Sequence, residues 1–522
     1  MQTRLVDIFL ENARRFPTKV AVICGGQSLS YSQLAEMVRE GATHLSHSTD
    51  ETPILNSGLR VANAPSSRRI IPIPFRARPT AGFLAGYLSI HLCGNVAVPL
   101  DKDLPDALFE RVKDRLCRSC LPEGSADVLF TTGTTGTPKA VLISHDAILA
   151  DAENLIAAQG YTSDLTFVIN GPLNHIGSLS KIYPVLYLGG TIHITDGLRD
   201  MNAFFAALES APGSVATFLV PASIRLLLSF AKDRLASLDG KIAFIETGAA
   251  PMPRSDMQTL RALLPHARLY NTYASTETGI ISTFDFSSTG SPALDDSAPE
   301  GNSSFSGEAS CLGTPMQHSQ VFITSEGLVA CQGRTLMSGY LGDNEMTGKV
   351  LRDGILYTGD IGHVDDKGRL WLLGRSDDVI NVGGFKVAPS EVEDVALSMP
   401  GIEDCICVPA RHPLLGTVLK LIIVPSKLTG SSVTDAPDSR SSASPALTSG
   451  GLQGIGSLNG HAEAASASSV LTPDGCLDKK SIAKYLQTRL EPHKIPFYYE
   501  VAEKVNRNSG GKLDRKSYTQ YQ

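Results

Sequence analysis

Short β-branched runs alternate with amphipathic stretches along much of the chain. One amphipathic stretch, Ala222 to Leu235, repeats apolar residues at helical spacing. The strand-like runs are Leu165 to Ile169, Thr191 to Ile194, Ala216 to Val220, Ile242 to Glu246 and Leu269 to Asn271. Such alternation is typical of βα units around a parallel or mixed sheet. The pattern therefore predicts an α/β fold.

Two segments have a different composition. Residues 286–310 and 429–475 are rich in Ser, Gly and Pro, and the second contains no aromatic residue. Few large apolar side chains are present to offset the entropy of ordering the chain, so we predict that 429–475 is a disordered insertion. Two β-rich runs in 404–424 and a helical pattern in 479–490 flank it. The insertion therefore belongs within a small C-terminal domain.

Length and charge narrow the class of protein. The 522 residues are 42% hydrophobic and 19% charged, with a formal net charge of -7. This length favours a large domain with at least one smaller one, and the charge gives no reason to expect a nucleic-acid partner. The first residues, MQTRLVDIFLENARRFP, have no signal-peptide apolar region, and no apolar run is long enough for a transmembrane segment. We expect a cytoplasmic protein.

The segment 129–142 reads LFTTGTTGTPKAVL. A Gly- and Thr-rich loop that follows a strand and ends in Lys can offer N–H groups, hydroxyls and an ammonium to a polyphosphate. The spacing does not fit a Walker A loop, and taken alone the run is equally typical of a flexible surface loop. The candidate phosphate ligands are Thr131, Thr132, Gly133, Thr134, Thr135, Gly136 and Lys139.

Four further motifs follow in order. They are YNTYASTETG (270–279), YTGD (357–360), GRSDDVINVGGFKVAPSEVE (374–393) and NRNSGGKLDRK (506–516). Together with the phosphate loop they resemble the adenylate-forming superfamily of acyl-CoA synthetases, peptide-synthetase adenylation domains and luciferases, and among these the acyl- or aryl-CoA ligases most. The chain departs from the usual PKG ending of the loop at Ala140.

The resemblance implies a domain organisation. It implies a large N-terminal domain, residues 1–375, of βα-layered subdomains with mixed sheets, and a small mobile α+β domain, residues 376–522. Asp377 matches the family's hinge position. The mobile domain would present Lys512 in one orientation, and in the other Gly383 and Gly384, where a pantetheine arm can pass close to the backbone.

The resemblance also implies roles for single residues. Thr276 would contact the α-phosphate, Glu277 would bind Mg²⁺ through a hard oxygen, and Lys512 would bridge the carboxylate and the α-phosphate. Without the motif, Thr276 and Glu277 would be typical of a helix start. The other positions assigned to nucleotide or cofactor binding are Asp360 and Arg375, which would hold the ribose, and Gly248, Ala249 and Tyr273.

Substrate choice is expected to lie in residues 171–181 and 245–253. His175 matches the gate of acyl- and aryl-CoA ligases, and this stretch lacks the acid that holds an α-ammonium in peptide-synthetase domains. We therefore expect a carboxylic acid without an α-ammonium. Gly248, Ala249 and Ala250 would wall its pocket, and Ile280 and Ile281 would make part of that pocket apolar. Aryl, branched and medium-chain acids all remain open.

The implied activity has two steps. ATP would activate the acid as an acyl-adenylate with release of pyrophosphate, and the acyl group would pass to the thiol of CoA. Two alternatives stay open: a free-standing enzyme that loads the phosphopantetheine of a carrier protein, and a catalytically silent ATP-binding relative. The second alternative draws on a shortened region, because only about 27 residues separate Asp101 from Leu129.

Overall fold

The structure is a computed structural model. It describes residues 3–50, 70–116, 119, 121–131, 138–198, 200–287, 310–376, 378–382, 385–413, 415–426, 478–507 and 513–519. The predicted disordered insertion 429–475 and most of segment 286–310 lie outside these residues. No helix among the described residues is long and apolar enough to cross a membrane.

The chain divides into two compact units. The larger contains residues 1–380, 386–394 and 507–513, and the smaller contains 381–385, 395–506 and 514–522. The domain boundary expected after residue 375 remains a prediction.

The described residues form several helices. They are α1 (Leu5–Arg15), α2 (Tyr31–Asp50), α3 (Ala81–Leu92), α4 (Asp106–Leu116), α5 (His145–Gln159), α6 (Ile176–Leu179), α7 (Ile182–Leu188), α8 (Met201–Ser210), α9 (Pro221–Phe230), α10 (Lys232–Ala236), α11 (Arg254–Leu263), α12 (Asn344–Val350), α13 (Pro389–Leu397), α14 (Lys479–Gln487) and α15 (Lys516–Thr519), with a 3-10 turn at Pro492–Lys494.

The described residues also form many short strands. They are β1 (Val20–Cys24), β2 (Gln27–Ser30), β3 (Pro72–Arg76), β4 (Val96–Leu100), β5 (Ser125–Thr131), β6 (Lys139–Ser144), β7 (Thr166–Ile169), β8 (Thr191–Ile194), β9 (Val215–Phe218), β10 (Ile242–Gly248), β11 (Arg268–Ser275), β12 (Gly279–Asp285), β13 (Ser310–Cys311), β14 (Thr314–Pro315), β15 (Ser319–Ile323), β16 (Leu328–Gly333), β17 (Gly339–Tyr340), β18 (Leu351–Arg352), β19 (Ile355–Val364), β20 (Leu370–Arg375), β21 (Ile380–Val382), β22 (Phe385–Val387), β23 (Ile402–His412), β24 (Gly416–Pro425) and β25 (Tyr498–Val501).

A nine-stranded sheet forms the centre of the larger unit. Its order is β14-β12-β11-β10-β9-β7-β8-β1-β2, and the six strands from β11 to β1 are parallel. Helices cover both faces, so the parallel strands are almost wholly apolar and buried. On β10, Phe244 packs in one core cluster and Ile245 in another, as alternation of side chains requires.

Strands β7 to β11 confirm the five predicted strand-like runs within a few residues. The predicted helical stretch 222–235 is instead two helices, α9 and α10. Ala231, between them, has φ -142°, which ends α9 and lets α10 start in a new direction. Apolar periodicity continues across the break and therefore did not reveal it.

Two further sheets complete the larger unit. The five-stranded sheet has the order β17-β6-β5-β4-β3, and a six-stranded antiparallel sheet is formed by β13, β20, β19, β16, β15 and β18. In the described part of the shortened region before the predicted phosphate loop, the helix α4 lies between the parallel strands β4 and β5. A strand–helix–strand crossover is therefore complete there.

In the smaller unit, β23 and β24 pair antiparallel and β25 joins β24 in parallel. Four consecutive residues of β23, Cys405 to Val408, are buried, and α14 buries Ile482 and Leu486. The two runs and the helix predicted around the insertion are confirmed. Mixed sheets in an α/β chain confirm the predicted fold class.

Burial of one carboxyl group on α5 makes the stability of the protein depend on pH. Asp151 is 2% exposed, and its Oδ1 accepts a hydrogen bond of 2.8 Å from the Ile280 N–H. Burial raises the pKa of Asp151 to about 7, although the nearby Lys181 ammonium opposes the rise. Because the folded pKa exceeds the unfolded one, the stability that Asp151 contributes is present below about pH 4 and is lost as the pH rises to 7.

Asp151→Asn keeps the Oδ1 acceptor and removes the titration. Between pH 4 and 7 we expect the variant to gain about 1.4 kcal/mol per pH unit in free energy of unfolding relative to the wild type. Urea denaturation at several pH values measures this difference. Asp146→Asn on the same helix controls for the change in net charge, and parallel wild-type and Asp151→Asn curves would contradict the prediction.

Candidate active site

The candidate site lies at one edge of the nine-stranded sheet. The parallel strands β7, β9, β10 and β11 all end there. The segments that follow carry His175 after β7, Gly248 and Ala249 at the end of β10, and Thr276 and Glu277 after β11. Ligands of open α/β sheets bind outside the carboxyl ends of the strands, so this edge is the expected binding edge.

Thr276 and Glu277 lie in the turn of the β11–β12 hairpin, not at a helix start. Ser275 pairs with Gly279 across the turn, and the Ser275 and Thr278 hydroxyls and N–H groups bond each other at 2.9–3.0 Å. Gly279 has φ +66°, the left-handed conformation that such a three-residue loop requires. The turn fixes the backbone of Glu277, whose carbonyl also accepts from the Met337 N–H at 2.9 Å.

Asp360 is held by residues from two sheets. The Tyr273 hydroxyl, on β11, donates to Asp360 Oδ2 at 2.5 Å, and Arg375 Nε lies 3.8 Å from Oδ1. Asp360 and Arg375 are register partners on β19 and β20. Burial, and then the Asp360 charge, raises the pKa of Tyr273, so its hydroxyl stays protonated and donates. The structure thus brings three predicted nucleotide ligands together.

Glu277 and Lys139 are linked by Tyr340, which the sequence analysis did not identify. The Tyr340 hydroxyl donates to Glu277 Oε1 at 3.0 Å, and Lys139 Nζ lies 5.1 Å from the centre of the Tyr340 ring. Burial and the Glu277 charge raise the pKa of Tyr340 above its usual value. Strand β17, which carries Tyr340, pairs with β6, which begins at Lys139. In the sequence, a tyrosine among Ser, Gly and Leu gives no signal of this role.

The ends of the phosphate loop meet. Thr131 at the end of β5 is the register partner of Lys139 at the start of β6, so these two predicted phosphate ligands lie side by side. Several predicted site residues lie outside the described residues: Thr132, Gly133, Thr134, Thr135, Gly136, Asp377, Gly383, Gly384 and Lys512. Their predicted roles remain predictions.

Gly248, in the predicted wall of small residues from Gly248 to Ala250, lies close to the neighbouring strand β11. A Cβ at Gly248 would lie 2.7 Å from the Thr272 carbonyl oxygen, so a larger residue is excluded. Ala249 has φ +66°, which costs a non-glycine residue about 1 kcal/mol. Strain of this kind concentrates at functional segments.

His175, Ile280 and Ile281 are the remaining residues predicted for the acyl pocket. His175 is half-buried and is the N-cap residue of α6. Ile280 packs with the core that contains Phe244, whereas Ile281 packs on the other face of β12. Adjacent strand residues point in opposite directions, so the two isoleucines cannot line one pocket. The prediction that both would make the acyl pocket apolar is therefore wrong.

Known sequences match the central part of the chain. Residues 110–341 match the profile of the AMP-binding enzyme family. The chain is 28% identical over 335 residues to 4-coumarate–CoA ligase 2 of Nicotiana tabacum, a match of 60% of this chain and 58% of that protein. It is 30% identical over 329 residues to indoleacetate–CoA ligase of Aromatoleum aromaticum, with 61% of each covered. The chain therefore matches less than two thirds of the length of these relatives.

Solved structures match over the whole chain. Amide bond synthetase McbA of Marinactinospora thermotolerans has a TM-score of 0.75 at 18% identity, with 99% of each chain covered. The o-succinylbenzoate CoA synthetase of Bacillus subtilis has a TM-score of 0.72 at 18% identity, again with 99% of each covered. Such low identity establishes the fold alone. The chain therefore shares the fold of these enzymes, and its residues 110–341 match the AMP-binding enzyme profile.

Proposed function

We propose that the protein uses ATP to convert a carboxylic acid to an acyl-adenylate and then forms an acyl-CoA thioester. The proposal rests on two side-chain hydrogen bonds that hold the β11–β12 segment. At one end Tyr273 holds Asp360, an acceptor suited to ribose hydroxyls, and at the other Tyr340 holds Glu277 beside Lys139. A carboxylate acceptor for the sugar and a cation for the phosphates are thus both connected to the short stretch from Tyr273 to Glu277.

The proposed chemistry needs positive groups because both substrates are anions. A carboxylate oxygen attacks the α-phosphorus, the bond to the β-phosphate oxygen breaks, and pyrophosphate leaves. A CoA thiolate then attacks the acyl carbonyl carbon and AMP leaves. Lys139 and Lys512, with the N–H groups of the loop, would offset the developing charge. Thr276 would donate its hydroxyl to the α-phosphate, and Gly383 and Gly384 would admit the pantetheine arm.

Glu277 fits a magnesium ligand. Mg²⁺ in nucleotide sites is commonly held by one or two carboxylates together with phosphate oxygens. Tyr340 occupies Oε1 of Glu277, which leaves Oε2 for the ion. The described residues contain no group of three His, Cys, Asp or Glu side chains suited to a metal. Bound there, Mg²⁺ would neutralise phosphate charge.

Two features support the choice of acid and acceptor. The relatives' names specify CoA as acceptor and aryl-substituted acids, 4-coumarate and indoleacetate, as substrates. In this chain the stretch around His175, residues 171–181, lacks the acid that would hold an α-ammonium. We therefore favour an aryl acid as substrate, and CoA instead of a carrier protein as acceptor. For the location of the protein we propose the cytoplasm.

Pyrophosphate exchange tests the proposal. Purified protein with Mg²⁺ and a panel of aryl, branched and medium-chain acids should move labelled pyrophosphate into ATP, and addition of CoA should yield a thioester. Lys512→Ala should lower exchange by about 10² to 10³, because it removes one transition-state donor. Lys504→Ala changes an exposed lysine of the same segment and is the control. Exchange without thioester would refute the CoA step, and ATP binding without any exchange would favour the silent relative.

Tyr340→Phe tests the anchoring of Glu277. The variant loses a hydrogen bond to a carboxylate, a bond of about 1.5–3 kcal/mol, so Glu277 is no longer held beside the phosphate site. We expect the Mg²⁺ concentration for half-maximal exchange to rise about tenfold. Tyr31→Phe is the matched control: its hydroxyl bonds the Gly190 carbonyl at 2.7 Å, ahead of β8 at the opposite edge of the sheet. An unchanged Mg²⁺ dependence in Tyr340→Phe would contradict the assigned role.

A further inference from the structure

Two buried polar side chains of α5 contact the β11–β12 hairpin. Asp151 is 2% exposed and Asn154 is 0% exposed. They are three residues apart on the helix, so both face the same side, and we call them the α5 pair. Burying a polar group costs free energy unless the group is hydrogen-bonded, so the partners of these side chains indicate what they support.

The α5 pair binds both backbone polar groups of one residue. Asp151 Oδ1 accepts from the Ile280 N–H at 2.8 Å, and Asn154 Nδ2 donates to the Ile280 carbonyl at 2.9 Å. Asn154 Oδ1 also accepts from the His318 N–H at 2.9 Å, which fixes the orientation of its amide. The helix therefore holds Ile280 at two points.

Ile280 lies at an irregularity in the pairing of β11 with β12. Tyr273 pairs with Ser282. The next residue of β11, Ala274, pairs with Ile280, so Ile281 is an extra residue on β12. A bulge of this kind disrupts the ladder and bends the strand, and bulges are common next to active sites. The α5 pair thus supports the hairpin where strand pairing is interrupted.

The turn that carries Thr276 and Glu277 is enclosed beside this bulge. Its last residue is followed by Gly279, which has φ +66°. A Cβ at Gly279 would lie 2.8 Å from Asp151 Oδ1 and 2.6 Å from the Thr335 carbonyl oxygen. The end of the turn is therefore packed between α5 and the segment after β16, and a change in the contact with α5 passes to Glu277.

The helix also connects the hairpin to a predicted phosphate ligand. α5 begins directly after β6, whose first residue is Lys139. Ser144, the last residue of β6, caps the helix by accepting from the Ala147 N–H at 3.1 Å. The α5 pair lies about two helical turns further along. One continuous strand and helix thus connects Lys139 to the turn that carries Glu277.

We propose that Asp151 and Asn154 are positioning residues for Glu277, the proposed Mg²⁺ ligand. By holding the bulge at Ile280 they fix the turn that carries Thr276 and Glu277. The inference rests on the proposed function and adds to it two residues that act through the backbone, without contact to a substrate. The hydrogen bond that Asp151 accepts, and not its charge, does the positioning.

Hydrogen–deuterium exchange tests the backbone contact without any ligand. In the peptide that covers 274–282, Asp151→Ala and Asn154→Ala should exchange at least about tenfold faster than wild type, because the hairpin loses a supporting hydrogen bond. Asp151→Asn keeps an acceptor and should stay within about threefold of wild type. Asn12→Ala is the matched control, since this buried asparagine donates to two carbonyls of α7 at 2.9 and 3.0 Å. It should leave the peptide unchanged.

Asp151→Asn also controls for the loss of charge. The Lys181 ammonium, which pairs with Glu246 at 2.7 Å, acts electrostatically on Asp151. Both substitutions of Asp151 remove the same acid from the field of Lys181. A difference between Asp151→Ala and Asp151→Asn therefore measures the hydrogen bond to the hairpin.

Ligand binding separates positioning from a general loss of structure. In calorimetric titrations of ATP, Asp151→Ala should need about five- to tenfold more Mg²⁺ than wild type for half-maximal enhancement of binding. Adenosine offers ribose hydroxyls and no phosphate. It should bind the variant and wild type within about twofold, because Tyr273 holds Asp360 from a position ahead of the bulge. The rate of pyrophosphate exchange should fall about tenfold.

Several results would overturn the inference. They are alanine variants that match wild type in hydrogen exchange and Mg²⁺ dependence, a defect in Asp151→Asn as large as that in Asp151→Ala, equal losses of adenosine and ATP binding, and wild-type ATP binding that is independent of Mg²⁺. If Asp151→Ala does not fold, Asn154→Ala decides through the same measurements.

The two proposals fail in different ways. If no acid supports pyrophosphate exchange, the proposed function fails, and the hydrogen exchange and the ATP titrations alone decide the inference. If acids support exchange and the alanine variants match wild type in every measurement, the proposed function stands and the inference fails.

Discussion

The hairpin turn between β11 and β12 is the point on which the candidate site depends. It belongs to the nine-stranded sheet, it reaches the six-stranded sheet through the hydrogen bond from Tyr273 to Asp360, and it reaches the five-stranded sheet through Tyr340. Each contact is a partly or wholly buried hydrogen bond to a carboxylate, and such bonds are stronger than neutral ones. Three sheets thereby position one short segment, and the residues that we propose as ribose, metal and phosphate ligands are placed relative to each other.

The larger unit also buries ionisable side chains. Asp151 and the Lys181–Glu246 pair are buried within the layer between the nine-stranded sheet and α5 and α7. Burial of such groups costs free energy, and groups of this kind are found most often at functional sites. The strained Ala249 on the neighbouring segment fits the same exchange of stability for function.

Sequence patterns predicted the helices and strands better than the side-chain contacts between them. Strands β7 to β11 were evident because β-branched runs and burial agree, and the motifs located Asp360, Arg375 and Glu277. Local propensity alone indicates a helix at Thr276, but pairing with β12 and the left-handed Gly279 make a hairpin. Tyr340 and the Lys181–Glu246 pair could not be found, since their contacts join residues 63 and 65 positions apart in the chain. Such contacts are decided by tertiary packing.

The central claim is that the β11–β12 segment and Asp360 form a nucleotide site. The most direct measurement compares the binding of AMP and 2′,3′-dideoxy-AMP by isothermal titration calorimetry, with wild type and Asp360→Ala. The account predicts that wild type binds the dideoxy nucleotide at least tenfold more weakly, since a carboxylate that accepts from ribose hydroxyls contributes about 1.5–3 kcal/mol. Asp360→Ala should bind both nucleotides equally. Equal affinity of wild type for the two nucleotides would contradict the account.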